Sequence, residues 1–265
     1  MVDIWKEQGP VKFGEVDRSG RLTLAAAFEL FQEVAINHAE NLGVGRDALL
    51  ATRQGWVLSR MSVIMERRPK WGETVTVRSW PRGADRLFAV RDYDIRDGED
   101  KPVVRGRSGW LILDIDKRRP LRVQPLVENL PPNTGLDALS GSPLGLETHE
   151  NLAKAVERKA AYSDIDYNGH VNNARYIPWI QDTIDAEILE QADRIRFDIN
   201  YLNEIKYGEL IEFWTGLLPE SPAGGSNTAD AAADGNGAYS QTRAFEGRRS
   251  ADGQAMFRAE LRTGR

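Results

Sequence analysis

The chain has 265 residues, of which 41% are hydrophobic and 28% charged, a composition typical of a globular protein with one large or two average domains. Its net charge of -5 disfavours a nucleic-acid binder or a protein held on an anionic membrane, since both are usually basic. It has no cysteine, which excludes a disulfide framework, a thiolate metal site and a cysteine nucleophile. No apolar run approaches the ~18 residues that cross a bilayer, and residues 1–10 lack the apolar core of a signal peptide, so we expect a cytoplasmic location.

The first half of the chain predicts a strand, a helix and four further strands. The first strand covers 11–17, and a polar turn follows it. A helix over 23–42 is predicted because apolar residues recur at helical spacing and form one stripe. That stripe consists of Leu24, Phe28, Phe31, Ala35 and Leu42. The four strands are predicted at 56–66, 74–80, 86–95 and 103–115. Four consecutive strands after one helix indicate an antiparallel sheet.

The same pattern restarts in the second half. The segment 129–150 begins with residues rich in Pro, Gly, Leu and Ser, has no periodicity and is predicted to be a linker. A strand at 155–166 and a helix at 173–190 follow it, and further strands are predicted at 194–202, 210–216, 239–245 and 254–261. Residues 219–237 are dominated by Ala, Gly, Ser, Asp and Asn, so we predict a flexible insertion that the fold does not need.

The two halves form an internal repeat. Asp17 aligns with Asp166, and Gly20 aligns with Gly169. Farther along, Trp71-Gly72-Glu73 matches Tyr207-Gly208-Glu209. A period this long indicates duplicated domains, which we place at 1–128 and 151–265. The predicted fold class is α+β, with two tandem hotdog domains, each a long helix wrapped by a curved antiparallel sheet.

The repeats differ in polar residues at two places. Three of these residues lie just before the helix, and one lies just before the matched Gly-Glu pair. The second repeat carries Asp166, Asn168, His170 and Glu204. The first repeat carries Asp17, Ser19, Arg21 and Arg68 at the corresponding positions. A histidine can move protons near neutral pH, and a carboxylate can orient it or activate water. We therefore predict general acid–base hydrolysis in the second repeat.

Each of these residues also has a structural interpretation. Asp and Asn favour turns and helix caps, and a glutamate near a strand end is usually a solvated charge. Only their joint occurrence in one repeat favours catalysis. The helix that starts near Asn172 or Asn173 could offer backbone N–H groups to an oxyanion. His38 is expected to be a core histidine and His149 an exposed one, so no metal site is predicted.

The segment 164–177 contains Asn-Gly-His-Val-Asn-Asn with a tyrosine three residues on, and it resembles the acyl-acyl carrier protein thioesterases of plant plastids and bacteria. Residues 30–38 and 69–73 also resemble that family. The resemblance implies hydrolysis of fatty acyl-carrier thioesters to free fatty acid, with the acyl chain linked to the carrier through phosphopantetheine. It implies catalytic roles for Asp166, Asn168, His170 and Glu204 in the second domain. It implies a non-catalytic first domain whose tunnel holds the acyl chain, with walls that include Phe28, Phe31, Trp56, Met61 and Met65.

The family has been described with a cysteine nucleophile just after the glutamate, but this position is Ile205 here. A water molecule activated by Glu204 or His170 is therefore expected to be the nucleophile. No cofactor, metal, nucleic acid or membrane is expected, and a homodimer is left open. The carrier proteins of the family are acidic, so basic turns at 117–122 and 67–70 are candidate docking sites, although solvated turn charges explain them equally well.

Three other activities fit the sequence. The chain could hydrolyse acyl-coenzyme A, or it could be a hotdog dehydratase, because residue spacing does not separate these reactions. It could also be a non-catalytic acyl-binding regulator. A regulator would need an effector module, such as a DNA-binding helical domain, and the acidic charge disfavours DNA binding.

Overall fold

The computed structural model describes residues 3–219 and 239–264. The chain divides into two compact units, Met1–Pro143 and Leu144–Arg265. Most of the insertion predicted at 219–237 lies outside the described residues. Within the described ranges, no helix is long and apolar enough to span a membrane.

The first unit contains an antiparallel sheet with strand order β1-β3-β4-β5-β2, and β6 pairs with β5. Its strands are β1 Trp5–Pro10, β2 Gln54–Met65, β3 Thr74–Asp85, β4 Phe88–Arg96, β5 Pro102–Asp114 and β6 Arg119–Leu121. Its helices are α1 Leu24–Asn41, α2 Arg46–Ala51 and α3 Gln124–Val127. The four strands predicted after the helix are confirmed, with ends that differ by a few residues.

Helix α1 confirms the helix predicted at 23–42. Thr23 caps its start, since the hydroxyl accepts a hydrogen bond from the Ala26 N–H at 3.0 Å. The predicted apolar stripe is buried, and Phe28 and Phe31 are 3% and 0% exposed. Full burial of such a side chain contributes about 1.5–3 kcal/mol, so this stripe fixes the helix in the first unit.

The strand predicted at 11–17 is wrong, because the strand lies earlier, at Trp5–Pro10. Residues Phe13–Glu15 instead form a short 3-10 helix. The Glu15 carboxylate accepts the Lys12 backbone N–H at 2.7 Å, and this local bond replaces strand pairing. The strand predicted at 155–166 is confirmed only over residues 155–159, and a 3-10 helix lies in the rest of that range.

The second unit repeats the arrangement with strand order β8-β11-β10-β9-β7, again antiparallel. Its strands are β7 Ala153–Lys159, β8 Arg194–Tyr201, β9 Leu210–Leu217, β10 Gln241–Arg249 and β11 Ala255–Gly264. After β7, residues Tyr162–Asp164 form a 3-10 helix that is closed by a 2.8 Å bond from the Ala161 N–H to the Asp164 carboxylate.

The single helix predicted at 173–190 is also wrong. A 3-10 segment Asn173–Arg175 leads into α4 Tyr176–Gln181, and a separate α5 Ala186–Gln191 follows. The chain breaks because the Thr183 hydroxyl bonds to the Ile180 carbonyl at 2.7 Å, and the Asp185 side chain starts α5 by accepting the Glu187 N–H at 3.3 Å. Tyr176, Ile177, Ile180 and Ile184 are buried as predicted.

The segment predicted as a linker contains no helix or strand in 129–150, but its first part packs on the first sheet. The Asp92 carboxylate accepts the Ala138 N–H at 2.8 Å, and Trp80 Nε1 donates to the Leu136 carbonyl at 2.8 Å. Residues up to Pro143 therefore belong to the first compact unit.

Candidate active site

A tight turn holds three of the four predicted catalytic residues. The Asp166 N–H donates to the His170 carbonyl at 2.9 Å, and the Gly169 N–H donates to the Asp166 carbonyl at 3.0 Å. Gly169 adopts a φ of 85°, which a residue with a side chain rarely adopts. The glycine thus closes the turn and sets Asp166, Asn168 and His170 on its rim.

A backbone bond brings the fourth residue to the turn. The Val171 N–H donates to the Ile205 carbonyl at 2.8 Å, so the residue after His170 is tied to the residue after Glu204. As a result, His170 Nε2 and Glu204 Oε2 lie 3.2 Å apart. The two side chains are 32% and 55% exposed, so both can reach solvent. An imidazole and a carboxylate at this distance can share and transfer a proton.

Asp166 and Asn168 form the second pair of the site. The Asp166 carboxylate accepts the Asn168 N–H at 2.8 Å, and the Asn168 Nδ2 lies 3.5 Å from the other carboxylate oxygen. The backbone bond fixes the turn, whereas the side-chain bond is long and weak. The structure therefore joins His170 to Glu204 and Asn168 to Asp166, and the catalytic role of the four residues stays a prediction.

Two of the backbone N–H groups at the helix start are already hydrogen-bonded within it, and the expected oxyanion site there stays a prediction. The helix begins as a three-residue 3-10 segment, and the Asn172 side chain accepts the Ala174 N–H at 2.8 Å. The Arg175 N–H donates to the Asn172 carbonyl at 2.8 Å. Both backbone donors are used inside the turn, because asparagine caps its own helix. They are therefore not free to bind a substrate oxygen.

Two tyrosines lie at the start of the helix that follows the turn: Tyr176 is buried and Tyr201 is partly buried. The Tyr201 hydroxyl donates to the Asn173 carbonyl at 2.9 Å. Their rings pack edge to face with centroids 5.1 Å apart. The sequence pattern placed Tyr176 in the apolar stripe of the helix, and its burial confirms that placement.

The pKa of Tyr176 is raised far above its usual value, chiefly because burial disfavours the phenolate. The Ile205 backbone N–H opposes this effect, while the charges of Glu204 and Asp166 add to it. Tyr176 therefore stays a neutral phenol.

The first unit has the same turn with different side chains. The Asp17 N–H donates to the Arg21 carbonyl at 3.0 Å, and the Leu22 N–H donates to the Pro69 carbonyl at 2.8 Å. Where the second unit has a glutamate, Arg68 is buried, pairs with Asp17 and donates to the Leu22 carbonyl at 2.9 Å. The unit thus keeps the backbone of the site and replaces its proton-transfer pair by an internal ion pair.

Burial alone would raise the pKa of Asp17, but hydrogen bonds from Ser19 and Arg68 and the charge of Arg68 hold it below its usual value. The Ser19 hydroxyl donates to the Asp17 carboxylate at 2.5 Å, and Arg21 Nε donates to the Ser19 hydroxyl at 3.1 Å. Asp17 is therefore an ionised carboxylate whose hydrogen bonds and ion pair stabilise the turn.

The residues predicted to line an acyl tunnel lie mainly in the core of the first unit. Phe28, Phe31, Met61 and Met65 are at most 5% exposed, and the Phe31 ring lies 4.9 Å from that of Tyr93. The fifth residue, Trp56, is only partly buried and packs against another apolar cluster that contains Ile112 and Val127. These contacts fit core packing as well as acyl binding, so the acyl-binding role stays a prediction.

The basic segments predicted as docking sites differ from each other. In the segment 67–70, Arg68 is buried and Arg67 pairs with Glu73 at 2.7 Å and Asp97 at 3.2 Å, so this segment is largely neutralised. In the segment 117–122, Lys117 lies 3.5 Å from Asp114. Its arginines are exposed and have no acidic partner in the described part of the chain; they are Arg118, Arg119 and Arg122.

The other two histidines lie outside the site. His38 is fully buried, as expected, and its Nδ1 lies 3.1 Å from Arg91 Nη1. His149, which was expected to be exposed, is only partly so, since its Nε2 lies 3.2 Å from the Glu260 carboxylate.

Sequence comparison identifies both halves of the chain. Residues 3–129 match the acyl-ACP thioesterase N-terminal domain, and residues 148–253 match the acyl-ACP thioesterase C-terminal domain. The chain is 28% identical over 234 residues to an oleoyl-acyl carrier protein thioesterase of Arabidopsis thaliana, covering 80% of this chain and 62% of that protein. It is 25% identical to a palmitoyl-acyl carrier protein thioesterase of Cuphea hookeriana, covering 84% and 57%. The chain thus spans roughly three-fifths of the length of these relatives.

Solved structures share the fold over the full chain. An acyl-ACP thioesterase from Bacteroides thetaiotaomicron superposes with a TM-score of 0.81 at 24% identity, covering 98% of this chain and 97% of that one. The 12:0-ACP thioesterase from Umbellularia californica gives a TM-score of 0.78 at 20% identity, covering 100% and 98%. The mixed α and β architecture is therefore the one seen in those proteins.

Proposed function

Because the chain belongs to the acyl-ACP thioesterase family, we propose that it hydrolyses fatty acyl-acyl carrier protein thioesters to free fatty acid and carrier protein. The observation that carries this proposal is the His170–Glu204 pair, 3.2 Å apart and open to solvent in the second unit. The absence of cysteine from the sequence removes a thiol nucleophile and leaves water as the attacking group.

The His170–Glu204 pair would act on a water molecule. One member takes a proton from the water as its oxygen attacks the thioester carbonyl, and a tetrahedral intermediate forms. The carbon–sulfur bond then breaks, and the sulfur of the phosphopantetheine arm leaves as a thiol after it receives a proton from the pair. Both groups can fill either role at this separation, so the base is Glu204 or His170.

Asp166 and Asn168 would have supporting roles. The Asp166 carboxylate fixes the turn by accepting the Asn168 N–H at 2.8 Å. The Asn168 amide group is exposed on the rim of the turn, where it can orient the water or donate to the substrate carbonyl. Removing one such donor to a developing oxyanion typically costs about 3 kcal/mol of transition-state stabilisation.

We further propose that each unit is a hotdog domain and that the first unit binds the acyl chain without taking part in the chemistry. The buried apolar side chains of Phe28, Phe31, Met61 and Met65 support this role. If they line a tunnel, Met61→Ala should shift the preferred acyl length by lengthening or widening it. If they only pack the core, that variant should lose roughly 2–5 kcal/mol of stability and keep the ranking of substrates.

A hydrolysis assay with acyl chains of several lengths, linked either to a carrier protein or to coenzyme A, tests the proposed function. We expect turnover of the carrier-linked chains, and loss of that turnover in His170→Ala. Turnover of coenzyme-A substrates alone would reassign the substrate class. Acyl binding without hydrolysis of either substrate would contradict the enzymatic function and favour a regulator.

A further inference from the structure

A buried arginine in the first unit has no carboxylate beside it. Arg91 lies on β4 and is only 9% exposed. Among the described residues, no Asp or Glu forms an ion pair with its guanidinium. Burial lowers the pKa of Arg91, and the interaction with Tyr93 opposes this effect. A charge inside a protein is normally paired, because its removal from water is costly, so packing alone does not explain this residue.

The hydrogen bonds of the Arg91 guanidinium all come from one nitrogen. Its Nη1 lies 3.1 Å from His38 Nδ1 on α1 and donates to the Ser79 hydroxyl on β3 at 3.0 Å. Because arginine has donors and no acceptor, His38 Nδ1 must accept, and this imidazole is neutral. Nε and Nη2 make no hydrogen bond to the part of the chain that the structure describes. Arg91 therefore has one fixed nitrogen and one edge with unused donors.

Two other arginines of the same sheet show what that edge binds. Arg78 donates to the Asp94 carboxylate from Nε at 2.7 Å and from Nη2 at 2.5 Å. Arg107 holds the Asp92 carboxylate in the same way, at 2.6 and 2.7 Å. Such paired bonds match the two oxygens of a carboxylate. Side chains alternate along a strand, so Asp92 and Asp94 lie on one face of β4 and Arg91 presents the same edge on the other.

Arg91 lies at one end of the apolar stripe that is proposed to bind the acyl chain. Phe28 and Phe31 belong to that stripe on α1, and His38 continues it two turns beyond Phe31, about 10 Å along the helix axis. On the sheet, the Tyr93 ring lies 4.9 Å from that of Phe31, and Arg91 lies on the same face of β4. An aliphatic chain that follows this stripe towards His38 would bring its end to the guanidinium.

We propose that Arg91 forms a carboxylate-binding site in the first unit, in which its Nε and Nη2 bind the carboxylate of an aliphatic chain while His38 and Ser79 hold Nη1. The apolar rings of Phe31 and Tyr93 favour an aliphatic chain over a small anion, because they can bury its methylene groups. Two molecules supply this chemistry: the free fatty acid that hydrolysis releases, and an acyl chain with a second carboxylate at its far end. The identity of the chain rests on the proposed function, whereas the binding of a carboxylate does not.

Isothermal titration calorimetry with decanoate, decanedioate and decanol tests the site. For both acids, we expect the Kd to be at least about tenfold higher in Arg91→Met than in the wild type, because methionine keeps an apolar stem and removes the donors. Decanol, which has no carboxylate, should bind equally to both proteins. Arg86→Met is the matched control, since Arg86 is exposed on the turn between β3 and β4 of the same unit. Its Kd values should stay within about twofold of the wild type.

Two calorimetric results would overturn the proposal. One is that neither acid binds to the wild type. The other is that each acid has the same Kd in the wild type, in Arg91→Met and in Arg86→Met.

Kinetics on carrier-linked chains distinguish the two sources of the carboxylate. If the released fatty acid is the ligand, decanoate should inhibit hydrolysis of a decanoyl thioester, and Arg91→Met should raise the inhibition constant about tenfold. If the far end of the acyl chain is the ligand, Arg91→Met should lower kcat/KM about tenfold for a decanedioyl thioester and leave the decanoyl thioester unchanged. Either result supports the site. An active enzyme in which Arg91→Met changes neither quantity would contradict it.

If Arg91→Met does not fold, Arg91→Lys replaces it, because lysine keeps the charge but cannot present two parallel donors. We expect the Kd for decanoate to rise several-fold in this variant. An unchanged Kd in the folded Arg91→Lys protein would contradict the role of the guanidinium edge.

Nuclear magnetic resonance of the Arg91 Nε–H group needs no variant and no catalysis. We expect decanoate and decanedioate to shift this signal in the wild type, because a carboxylate bonds to it, and decanol to leave it in place. A signal that does not move at saturating decanoate would overturn the inference. If the wild type hydrolyses no thioester, the proposed function fails, and this measurement still decides whether Arg91 binds a carboxylate.

Discussion

The two units build one turn from matching backbone bonds and put it to different uses. In the first unit, the Arg68 guanidinium is buried and neutralises Asp17 within the fold. In the second, the aligned residue is Glu204, whose side chain is 55% exposed and meets His170 at 3.2 Å. The backbone bonds agree within 0.1 Å, as in 2.9 and 3.0 Å for the bond that the turn glycine donates. Two copies of one turn can therefore keep the same backbone geometry. One copy exposes its titratable side chains to solvent, and the other pairs its charged side chains with each other inside the fold.

The largest effect is expected from the exposed pair. His170→Ala and Glu204→Gln should each lower kcat by about 10²–10⁴-fold, because each removes one member of the proton-transfer pair. The double variant should be little worse than either single variant, since the two residues act as a unit. Steady-state kinetics on a carrier-linked acyl chain measure this. The melting temperatures serve as controls, and near-normal turnover in both single variants would refute the site.

The next effect concerns stability rather than turnover. Arg68→Met should lower the free energy of unfolding by about 3 kcal/mol, because it leaves the Asp17 carboxylate without its cation. The specific activity of the folded protein should change little. Chemical denaturation measures the loss of stability. A fall in turnover that matches that of Glu204→Gln, with the fold intact, would show that the first turn also takes part in catalysis.

The loss of stability caused by Arg68→Met should depend on pH. The pKa of Asp17 is held below its usual value, so the ionised carboxylate stabilises the fold above about pH 4, and this contribution is lost as the pH falls through the lowered pKa. The difference in stability between wild type and Arg68→Met should therefore be large at neutral pH and shrink in acid. A difference that does not depend on pH would mean that lost packing of Arg68, and not its charge, is responsible.

Some parts of the fold and of the site could be predicted from the sequence, and others could not. Helix α1 and the strands follow from apolar periodicity, because buried side chains impose it. The turn and the His170–Glu204 pair followed from aligning the repeats, since the exchange of glutamate for Arg68 is visible in the sequence. The breaks at Lys12 and Thr183 were missed because a local side-chain bond ends each element there, and such a bond leaves no periodic signal.

The smallest effect is expected at the surface of the first unit. Arg118 lies on the turn between β5 and β6, and Arg119 begins β6; both are exposed and have no acidic partner within the described residues. If an acidic carrier protein docks there, reversing both charges to Glu should lower kcat/KM for the carrier-linked substrate several-fold at low salt, mainly by slowing encounter. The effect should fade as the Debye length shortens to about 8 Å near physiological ionic strength and below that at higher salt.

Coenzyme-A substrates are the control for this surface, because they lack the carrier. Their kcat/KM should be the same in the wild type and the charge-reversed variant. An unchanged kcat/KM for the carrier-linked substrate at every salt concentration would exclude Arg118 and Arg119 as a docking site.

The central claim is that the exposed second turn performs the chemistry and the first does not. Two matched double variants test it most directly, Asn168→Ala with His170→Ala and Ser19→Ala with Arg21→Ala, compared by kcat per folded molecule on one carrier-linked acyl chain. We predict a loss of at least about 10²-fold in the first variant. In the second we predict a kcat near that of the wild type, with at most a lower melting temperature. Equal losses in the two variants, with both folds intact, would contradict the division of labour between the units.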